Sequence, residues 1–242
     1  MKIIRIKKCT STNNQIKDYF FHLPSSIPLC LIAEHQTNGK GQLGAKWATQ
    51  AHQNLTFSFL FPNLNLSVDK AFKINLLTTL KLYEVFTELG FSKLQFKWPN
   101  DLILANKKVG GILIENSFQS NLIKRSIVGI GINVNQTNFE GFPQAGSLKT
   151  IFQNDFSLED IFSKITNKFD NFEVQIHELR LSNLLKTYHK NLYRYKKTSM
   201  FQYEGKVLPG IIQQVQPNGR LKIEFEDQVT KDFDVKEVKM IY

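Results

Sequence analysis

The segment TNGKGQLGAKW (37–47) carries glycines at positions 39, 41 and 44, the G-x-G-x-x-G spacing that holds dinucleotide phosphates in many enzymes. Such a loop follows a strand, opens a helix at its third glycine and precedes an acidic residue by about 20 positions. Here a strand-like run, LCLIAE (29–34), precedes the loop. A second strand-like run, LTFSFLF (55–61), follows it, and no acidic residue lies near position 59. The loop is therefore expected to join two strands, and a dinucleotide fold is not expected.

The composition is that of a globular protein with one large core, or with one main domain and a small appended one. The chain has 242 residues, of which 42% are hydrophobic and 20 are phenylalanine. No stretch approaches the roughly 20 apolar residues of a membrane span. The basic N-terminus lacks the apolar segment and the cleavage site of a secretory signal. We therefore expect a cytoplasmic protein that does not associate with membranes.

Cysteine and histidine usage argues against a metal site built from these residues. Cys9 and Cys30 are too few and too far apart for a metal knuckle or a redox pair, so both are expected to be buried or half-buried thiols. The five histidines include no pair at HxH or HxxxH spacing.

The formal net charge of +10 permits two interpretations. A basic surface could hold nucleic acid through its phosphates, or it could face a phosphate-bearing small molecule and an acidic protein partner. The sequence contains no run of five or six like charges and no basic helix, so charge alone does not decide between them.

The hydrophobic pattern predicts an α+β fold with a mixed sheet and flanking helices. An amphipathic helix is predicted from Asp69, as its N-cap, to Gly90, and short apolar runs between 94 and 134 predict neighbouring strands. The pattern becomes helical again at Ser157, which forms a capping-box-like pair with Asp160, and a further helical segment covers 184–192.

The last part of the chain has a different pattern. Residues from about 199 onward show no helical period, and Asn218-Gly219 in PNGRLKIEF predicts a hairpin turn between two strands. So few residues bury enough surface only by closing into a barrel or by packing on the main domain. We predict a main domain at 1–192 and a small β-barrel at 193–242.

Four short motifs break local rules of structure, although each also has a structural interpretation. STN (11–13) could cap a helix, KWPND (97–101) could be a turn, and the glycine pair in NKKVGGILIEN (106–116) could mark a bulge. GIGINVN (129–135) places glycines and asparagines in a strand interior, which ordinarily avoids both. Such breaks, without an evident structural gain, are expected at functional sites.

Taken in order and at these separations, STN, EHQTNGKGQLGAKW, KWPNDLILANKKVGGILIEN and GIGINVN resemble the motifs of the biotin protein ligases. The terminal β module resembles the SH3-like C-terminal domain of that family, so the resemblance runs from about Ile4 to Tyr242. It implies a fold related to class II aminoacyl-tRNA synthetases. Some members of the family carry an N-terminal winged helix-turn-helix and also act as repressors. Because STN begins at residue 11, the resemblance implies a monofunctional ligase.

The implied reaction has two steps. The carboxylate of biotin attacks the α-phosphate of ATP to give biotinyl-5′-adenylate and pyrophosphate, and a lysine of a biotin carboxyl carrier domain then attacks the mixed anhydride. The substrate supplies the nucleophile, so no Ser-His or Cys-His pair is needed. Backbone N–H groups of the glycine-rich loop, together with Lys40 and Lys108, would stabilise charge on phosphate, and Mg²⁺ would bridge the phosphates. The enzyme would act as a monomer or a homodimer.

The resemblance gives a role to each matching position. Lys40, Asp101 and Lys108 are expected to be catalytic, with Asp101 also a contact for Mg²⁺ and the base for the incoming amine. The residues expected to bind biotin are Ser11, Thr12, Asn13, Gln36, Gly39, Lys40, Gly41, Gln42, Lys108, Gly111 and Gly129. The residues expected to bind ATP are Lys40, Gln42, Trp47, Asn100, Asp101, Lys108 and Asn133.

The glycine-rich loop departs from the commoner family pattern, GRGRxGRxW. Lys40, Gln42 and Ala45 stand where that pattern has arginines. Lysine is a point charge and glutamine carries no charge, so the bidentate grip of two arginines on a phosphate or carboxylate is absent. We expect Lys46 to compensate only in part and the loop to be mobile without ligand.

Two other functions are open at this point. A lipoate ligase shares the fold class and the adenylation chemistry, although KWPND together with GKGQLG fits the biotin branch better. The basic charge and the terminal barrel could instead mark a nucleic-acid-binding protein with a degenerate synthetase-like domain. Binding of nucleic acid is not expected, because no basic helix or aromatic nucleic-acid motif occurs.

Overall fold

The computed structural model describes residues 1–24 and 26–241, and these form a mixed sheet flanked by helices and followed by a second, smaller sheet. The strands up to residue 133 are β1 (Lys2–Cys9), β2 (Leu29–Gln36), β3 (Gly39–Lys40), β4 (Lys46–Trp47), β5 (Asn54–Phe61), β6 (Leu66–Ser67), β7 (Gln95–Lys97), β8 (Asp101–Leu104), β9 (Lys107–Gln119) and β10 (Leu122–Asn133). The helices are α1 (Thr12–His22), α2 (Ala71–Glu88), α3 (Leu148–Phe152), α4 (Leu158–Phe169), α5 (Phe172–Glu178) and α6 (Leu181–Lys190). The second sheet consists of β11 (Thr198–Tyr203), β12 (Lys206–Val215), β13 (Leu221–Phe225), β14 (Thr230–Phe233) and β15 (Lys239–Ile241).

The main sheet has the strand order β1-β2-β5-β10-β9-β8-β7, and β6 pairs with β10. β1 and β2 run parallel, whereas the other pairs are antiparallel. The prediction of an α+β fold with a mixed sheet is therefore confirmed. The glycine-rich loop joins β2 to β5, as expected, and within it β3 and β4 form a two-stranded hairpin around a 3-10 turn at Gln42–Gly44. No helix opens at Gly44, which excludes the dinucleotide interpretation.

The central strand β5 shows why the two faces of the sheet differ. Every residue of β5 is buried, and successive side chains point to opposite faces. Phe59 and Phe61 stack on Phe169 and Phe172, with ring centroids 4.5 and 4.3 Å apart, and these rings lie in the main core. Ser58, between the two phenylalanines, points to the other face, where it contacts the first residues of α1. A polar side chain thus has a partner in the middle of a buried strand.

The helix ends agree with the sequence in two places and differ in a third. Ser157 accepts a hydrogen bond from the Asp160 N–H at the start of α4, and Gly90 follows α2 with a positive φ of 89°. The prediction that Asp69 is the N-cap of α2 is wrong. Asp69 lies in a 3-10 turn, where its carboxylate accepts from the Ser67 hydroxyl, and Lys70 occupies the N-cap position.

The C-terminal module, residues 198–241, is an antiparallel sheet with the order β14-β13-β12-β11-β15. The predicted turn at Asn218-Gly219 joins β12 to β13, with Gly219 at a φ of 90°. Phe201 and Ile212 of this sheet belong to the same hydrophobic core as the main sheet. The arrangement matches the small SH3-like β module that was expected, while a domain boundary at 192/193 stays a prediction.

Neither cysteine of the chain forms a disulfide, and both are buried. Burial raises the pKa of the Cys9 thiol and, more strongly, that of Cys30. This confirms the expectation of buried thiols. None of the helices in residues 1–24 and 26–241 is long and apolar enough to cross a membrane.

Candidate active site

A cavity of about 450 Å³ lies over the middle of the main sheet, between the N-terminal end of α1 and the glycine-rich loop. Nearly all of the residues predicted from the motifs line it. They are Ser11, Thr12, Asn13, Gln36, Lys40, Gly41, Gln42, Trp47, Asn100, Asp101, Lys108, Gly111 and Gly129. Gly39 and Asn133 are not brought to its wall. Motifs that are up to about a hundred residues apart in sequence therefore converge on one cavity.

One end of the cavity is a polar wall, formed by Ser11, Thr12, Asn13 and Gln36, all of which are buried. The Thr12 N–H donates to Gln36 Oε1 at 2.6 Å. The Ser58 hydroxyl lies 2.6 Å from Asn13 Oδ1 and 2.7 Å from the Thr12 hydroxyl. These contacts fix the side chains before any ligand binds.

Asn13 is held from a second side as well. Its amide donates to Glu115 Oε2 at 2.7 Å, while its carbonyl oxygen accepts from Ser58. Ser11 occupies the N-cap position of α1 but makes no side-chain capping bond. The interpretation of STN as a simple helix cap is therefore not supported, because these side chains face the cavity and the sheet.

The floor of the cavity explains the glycines in strands β9 and β10. A Cβ atom at Gly129 would overlap the Asn13 amide, and one at Gly131 would overlap the indole of Trp47. At Gly111 a Cβ would lie 3.4 Å from the same indole. The glycines in these strand interiors are thus places where a polar wall and an aromatic ring approach the backbone closely.

Besides the polar wall, the cavity lining carries the charged residues Lys40, Lys46, Lys108, Lys239 and Asp101, and the region around Lys108 and Asp101 is called the charged end. Lys108 Nζ lies 2.6 Å from Asp101 Oδ1, and the side chains are 33% and 15% exposed. Lys108 Nζ is also 5.8 Å from the centre of the Trp47 ring. Antiparallel pairing of β8 with β9 places Lys108 beside Asp101, because the register shifts near Ile103 at a bulge.

Two asparagines that are predicted to bind ATP donate hydrogen bonds to backbone carbonyls. The Asn100 amide donates to the Ile112 carbonyl at 2.8 Å, and the Asn133 amide donates to the Gly146 carbonyl at 3.0 Å. Both contacts hold strand ends next to the cavity. Within the described residues the Asn133 Oδ1 atom and the Trp47 Nε1 atom have no hydrogen-bond partner although both are buried.

The charged end contains the group that a Mg²⁺ ion would use. Asp101 is the one carboxylate among the described residues that line the cavity, and no group of three or more His, Cys, Asp or Glu side chains suited to a metal occurs in that part of the chain. Mg²⁺ is commonly bound by one or two carboxylates together with substrate phosphates and waters. The donor set therefore fits an ion that arrives with a nucleotide.

Several lining or supporting residues were not among the predicted site residues. Ser58 and Glu115 support the polar wall, and Val235 and Lys239 reach the cavity from the C-terminal module. A signal existed for Ser58, since it is a polar residue in the otherwise apolar run LTFSFLF. Lys239 had no such signal, because its position depends on how the two sheets dock.

The model of the Biotin/lipoate A/B protein ligase family matches residues 5–133, which is more than half of the chain. The chain belongs to this family. Relatives include the bifunctional ligase/repressor BirA of Escherichia coli K12, 35% identical over 124 residues, and the biotin–[acetyl-CoA-carboxylase] ligase of Paracoccus denitrificans, 31% identical over 124 residues. The first alignment covers 51% of this chain and 38% of the relative, and the second covers 49% and 48%. The chain thus spans less than half of the length of these curated relatives.

Solved structures of biotin/lipoate ligase family members resemble the whole chain. The biotin protein ligase of Aquifex aeolicus, in complex with biotin and ATP, superposes with a TM-score of 0.81 at 25% identity, covering 99% of this chain and 98% of that one. This likeness confirms the predicted fold class, in which the mixed sheet is related to class II aminoacyl-tRNA synthetases and is followed by a small C-terminal β module.

Proposed function

We propose that this chain is a biotin protein ligase that forms biotinyl-5′-adenylate from biotin and ATP and transfers biotin to a lysine of a carboxyl carrier domain. The observation that carries the proposal is that one cavity combines a buried polar wall with four lysines and one carboxylate. A neutral polar ring needs hydrogen-bonding partners such as those of the wall, and a polyphosphate needs cations. The names of the Paracoccus and Aquifex relatives support the same substrates.

The polar wall favours biotin over lipoate. The ureido ring of biotin offers two N–H donors and one carbonyl acceptor, whereas the dithiolane ring of lipoate has no strong donor or acceptor. Thr12, Asn13 and Gln36 are buried side chains that line the cavity. If a dithiolane entered, polar groups of this wall would lose water without gaining hydrogen bonds, which costs free energy.

Adenylation then requires two anions to meet at the charged end. An oxygen of the biotin carboxylate forms a bond to the α-phosphorus of ATP, the bond from that phosphorus to the bridging oxygen breaks, and the electron pair leaves with pyrophosphate. We assign to Lys108 the neutralisation of the carboxylate and the α-phosphate, with Lys40 of the glycine-rich loop as a further cation, since both residues line the cavity. Asp101 would hold Mg²⁺, which screens the phosphate charge when it is bound.

In the second step, the ε-amine of the carrier lysine attacks the acyl carbon and AMP leaves. We assign the adenylate-shielding role to the glycine-rich loop and the proton-accepting role to Asp101. The carrier is a biotin carboxyl carrier domain, such as that of acetyl-CoA carboxylase, and the reaction takes place in the cytoplasm. The enzyme acts as a monomer or a homodimer.

Exchange of labelled pyrophosphate into ATP tests the proposal. We expect exchange that depends on biotin and Mg²⁺, and transfer of biotin to a carrier domain when one is added. Exchange driven by lipoate but not by biotin would contradict the biotin assignment while leaving the family intact.

The absence of nucleic-acid binding stays a prediction, and a gel shift tests it. Contacts made only to phosphates weaken steeply with salt, so a shift that persists at about 0.2 M salt would contradict it.

A further inference from the structure

Lys239 is the lysine of the cavity that belongs to the C-terminal module. It starts β15 and is exposed, and it lines both the main cavity and a crevice of about 150 Å³ between the two sheets. Pro99 and Val235 also line both spaces, so the crevice continues the charged end of the cavity. Among the described residues, no carboxylate forms an ion pair with Lys239.

The crevice has an excess of positive charge. Lys97 and Lys236 line it together with Lys239, and none of the described residues on its wall is acidic. Burial lowers the pKa of Lys97, and the nearby ammonium groups of Lys108 and Lys239 lower it further, whereas Asp101 opposes this shift. Three ammonium groups therefore lie around one carboxylate, an arrangement that stabilises an added anion.

The position of Lys239 is set by the docking of the C-terminal module. The Trp98 indole N–H donates to the Gly219 carbonyl at 2.8 Å, and Phe201, which neighbours β15 in the sheet, is fully buried in the shared core. Trp98 belongs to the KWPND motif and precedes Asp101 by three positions. A side-chain hydrogen bond from a residue of the KWPND motif thus helps to hold the module that carries Lys239.

The glycine-rich loop contributes Lys40 and Lys46, two of the four lysines that line the cavity. Gln42 and Ala45 both line the cavity and neither is charged. Lys40 is engaged with the Asn14 side chain at 3.3 Å. The β- and γ-phosphates of ATP carry most of the negative charge of the triphosphate, so a cation outside the loop can add to their stabilisation.

We propose that Lys239 binds the β- and γ-phosphates of ATP and then the departing pyrophosphate, an inference that rests on the ligase function proposed above. The C-terminal module thereby takes part in adenylation. The role ends with the first step, because biotinyl-5′-adenylate retains only the α-phosphate. Lys239 is therefore specific for the step in which the bond between the α-phosphorus and the leaving oxygen breaks.

The test compares Lys239→Ala with Lys206→Ala, which removes the same charge from an exposed position on β12 of the same module. Biotin-dependent pyrophosphate exchange is measured against ATP concentration. Transfer to a carrier domain is measured separately with synthetic biotinyl-5′-adenylate. We expect Lys239→Ala to raise the KM for ATP and weaken pyrophosphate inhibition by about tenfold, since one charge-assisted contact is lost. Transfer from the synthetic adenylate should not change, and Lys239→Arg should restore most of the ATP affinity.

Three results would overturn the inference. They are an unchanged KM for ATP in Lys239→Ala, an equal change in Lys206→Ala, and an equal loss of transfer from the synthetic adenylate. A different result separates the proposed function from this inference. If the unaltered chain shows no biotin-dependent exchange at all, the ligase assignment itself is wrong, and the role of Lys239 is rejected with it.

Discussion

The polar wall and the charged end of the cavity are organised by different means. Thr12 and Asn13 are fixed by hydrogen bonds to Gln36, Ser58 and Glu115, which form without any ligand. At the charged end, the described residues form one ion pair, that of Lys108 with Asp101, although four lysines line the cavity. The wall is therefore preorganised, whereas the charged end is incomplete until a negative ligand enters.

This difference follows from the chemistry of the two ligand parts. A neutral ring gains affinity when its partners are already in place, because no side-chain entropy is lost on binding. Lysines cannot be held close together in advance without repulsion, and their long side chains order only when phosphates supply the opposite charge. A site of this kind selects its organic substrate through the polar wall. Its lysine side chains become ordered for catalysis when ATP binds.

The largest expected effect comes from removing the ion pair at the charged end. Lys108→Ala should lower the pyrophosphate exchange rate about 100-fold or more, because a contact to developing charge in a shielded site is lost. The melting temperature should change little, since the Lys108 side chain is 33% exposed. Exchange kinetics and a thermal melt, measured on the same preparation, check this prediction.

Lys107 provides the matched control. It precedes Lys108 on β9, and its exposed ammonium group donates to the Pro143 carbonyl at 2.8 Å, outside the cavity. Lys107→Ala should keep normal exchange. Normal exchange in Lys108→Ala together with a lowered melting temperature would instead identify Lys108 as a structural residue.

A second prediction concerns the close approach that supports the polar wall. Gly129→Ala places a methyl group onto the Asn13 amide, which Ser58 and Glu115 hold on either side. Overpacking of this kind costs about 1–3 kcal/mol of folding free energy, and because it also displaces the Asn13 amide from the polar wall, biotin affinity should fall roughly tenfold to a hundredfold. Calorimetric titration of biotin measures the affinity, and denaturant unfolding measures the stability.

A double-mutant cycle with Asn13→Ala shows whether the overlap is the cause. Once the Asn13 amide is removed, the added methyl group has space, so Gly129→Ala should destabilise the Asn13→Ala protein much less than the unaltered one. Equal destabilisation in both backgrounds would show that Gly129 is needed for a reason other than Asn13.

A smaller effect is expected from the hydroxyl behind the wall. Ser58→Ala leaves Asn13 Oδ1 without its donor in a fully buried position, which costs about 1–3 kcal/mol and should weaken biotin binding about tenfold. Ser126 is an equally buried serine in the neighbouring strand β10, and its hydroxyl has no partner among the described residues. Ser126→Ala should therefore cost little. Similar losses in both variants would mean that the Ser58 contact does not organise the wall.

Short motifs made much of this site predictable from the sequence. A ligand that touches several strands imposes unusual residues at each contact, and these appear as glycine or asparagine in strands that otherwise favour apolar residues. Gly129 is an example, since its lack of a side chain is explained by Asn13. The roles of Lys40, Asp101, Lys108 and the other predicted site residues stay predictions until they are tested by substitution.

Other features could not be predicted because they depend on long-range packing. Strand β1 lies at the edge of the sheet and carries four basic residues, which in the sequence indicate only a basic N-terminus, although Ile4 and Ile6 pack beneath α1. Lys239 enters the cavity through the docking of the C-terminal module, which no local pattern encodes. The N-cap of α2 is Lys70 and not the predicted Asp69, because a 3-10 turn at Val68–Lys70 precedes the helix.

The smallest expected effect comes from the loop that borders the charged end. Gln42 lines the cavity without charge, and the loop around it includes two left-handed residues, Leu43 at a φ of 60° and Gly44 at 84°. Gln42→Arg should add a guanidinium group that binds the phosphate of the adenylate. Escape of the adenylate should then slow a few-fold, about the value of one exposed charge contact. Biotin transfer to albumin, without a carrier domain, measures that escape. The variant should also make cleavage by protease between Thr37 and Trp47 more sensitive to added biotin and ATP, because ligand closes a mobile loop. If neither escape nor ligand-dependent protection changes, Gln42 lies on a rigid turn and not on a lid, and preorganisation extends from the polar wall to this side of the charged end.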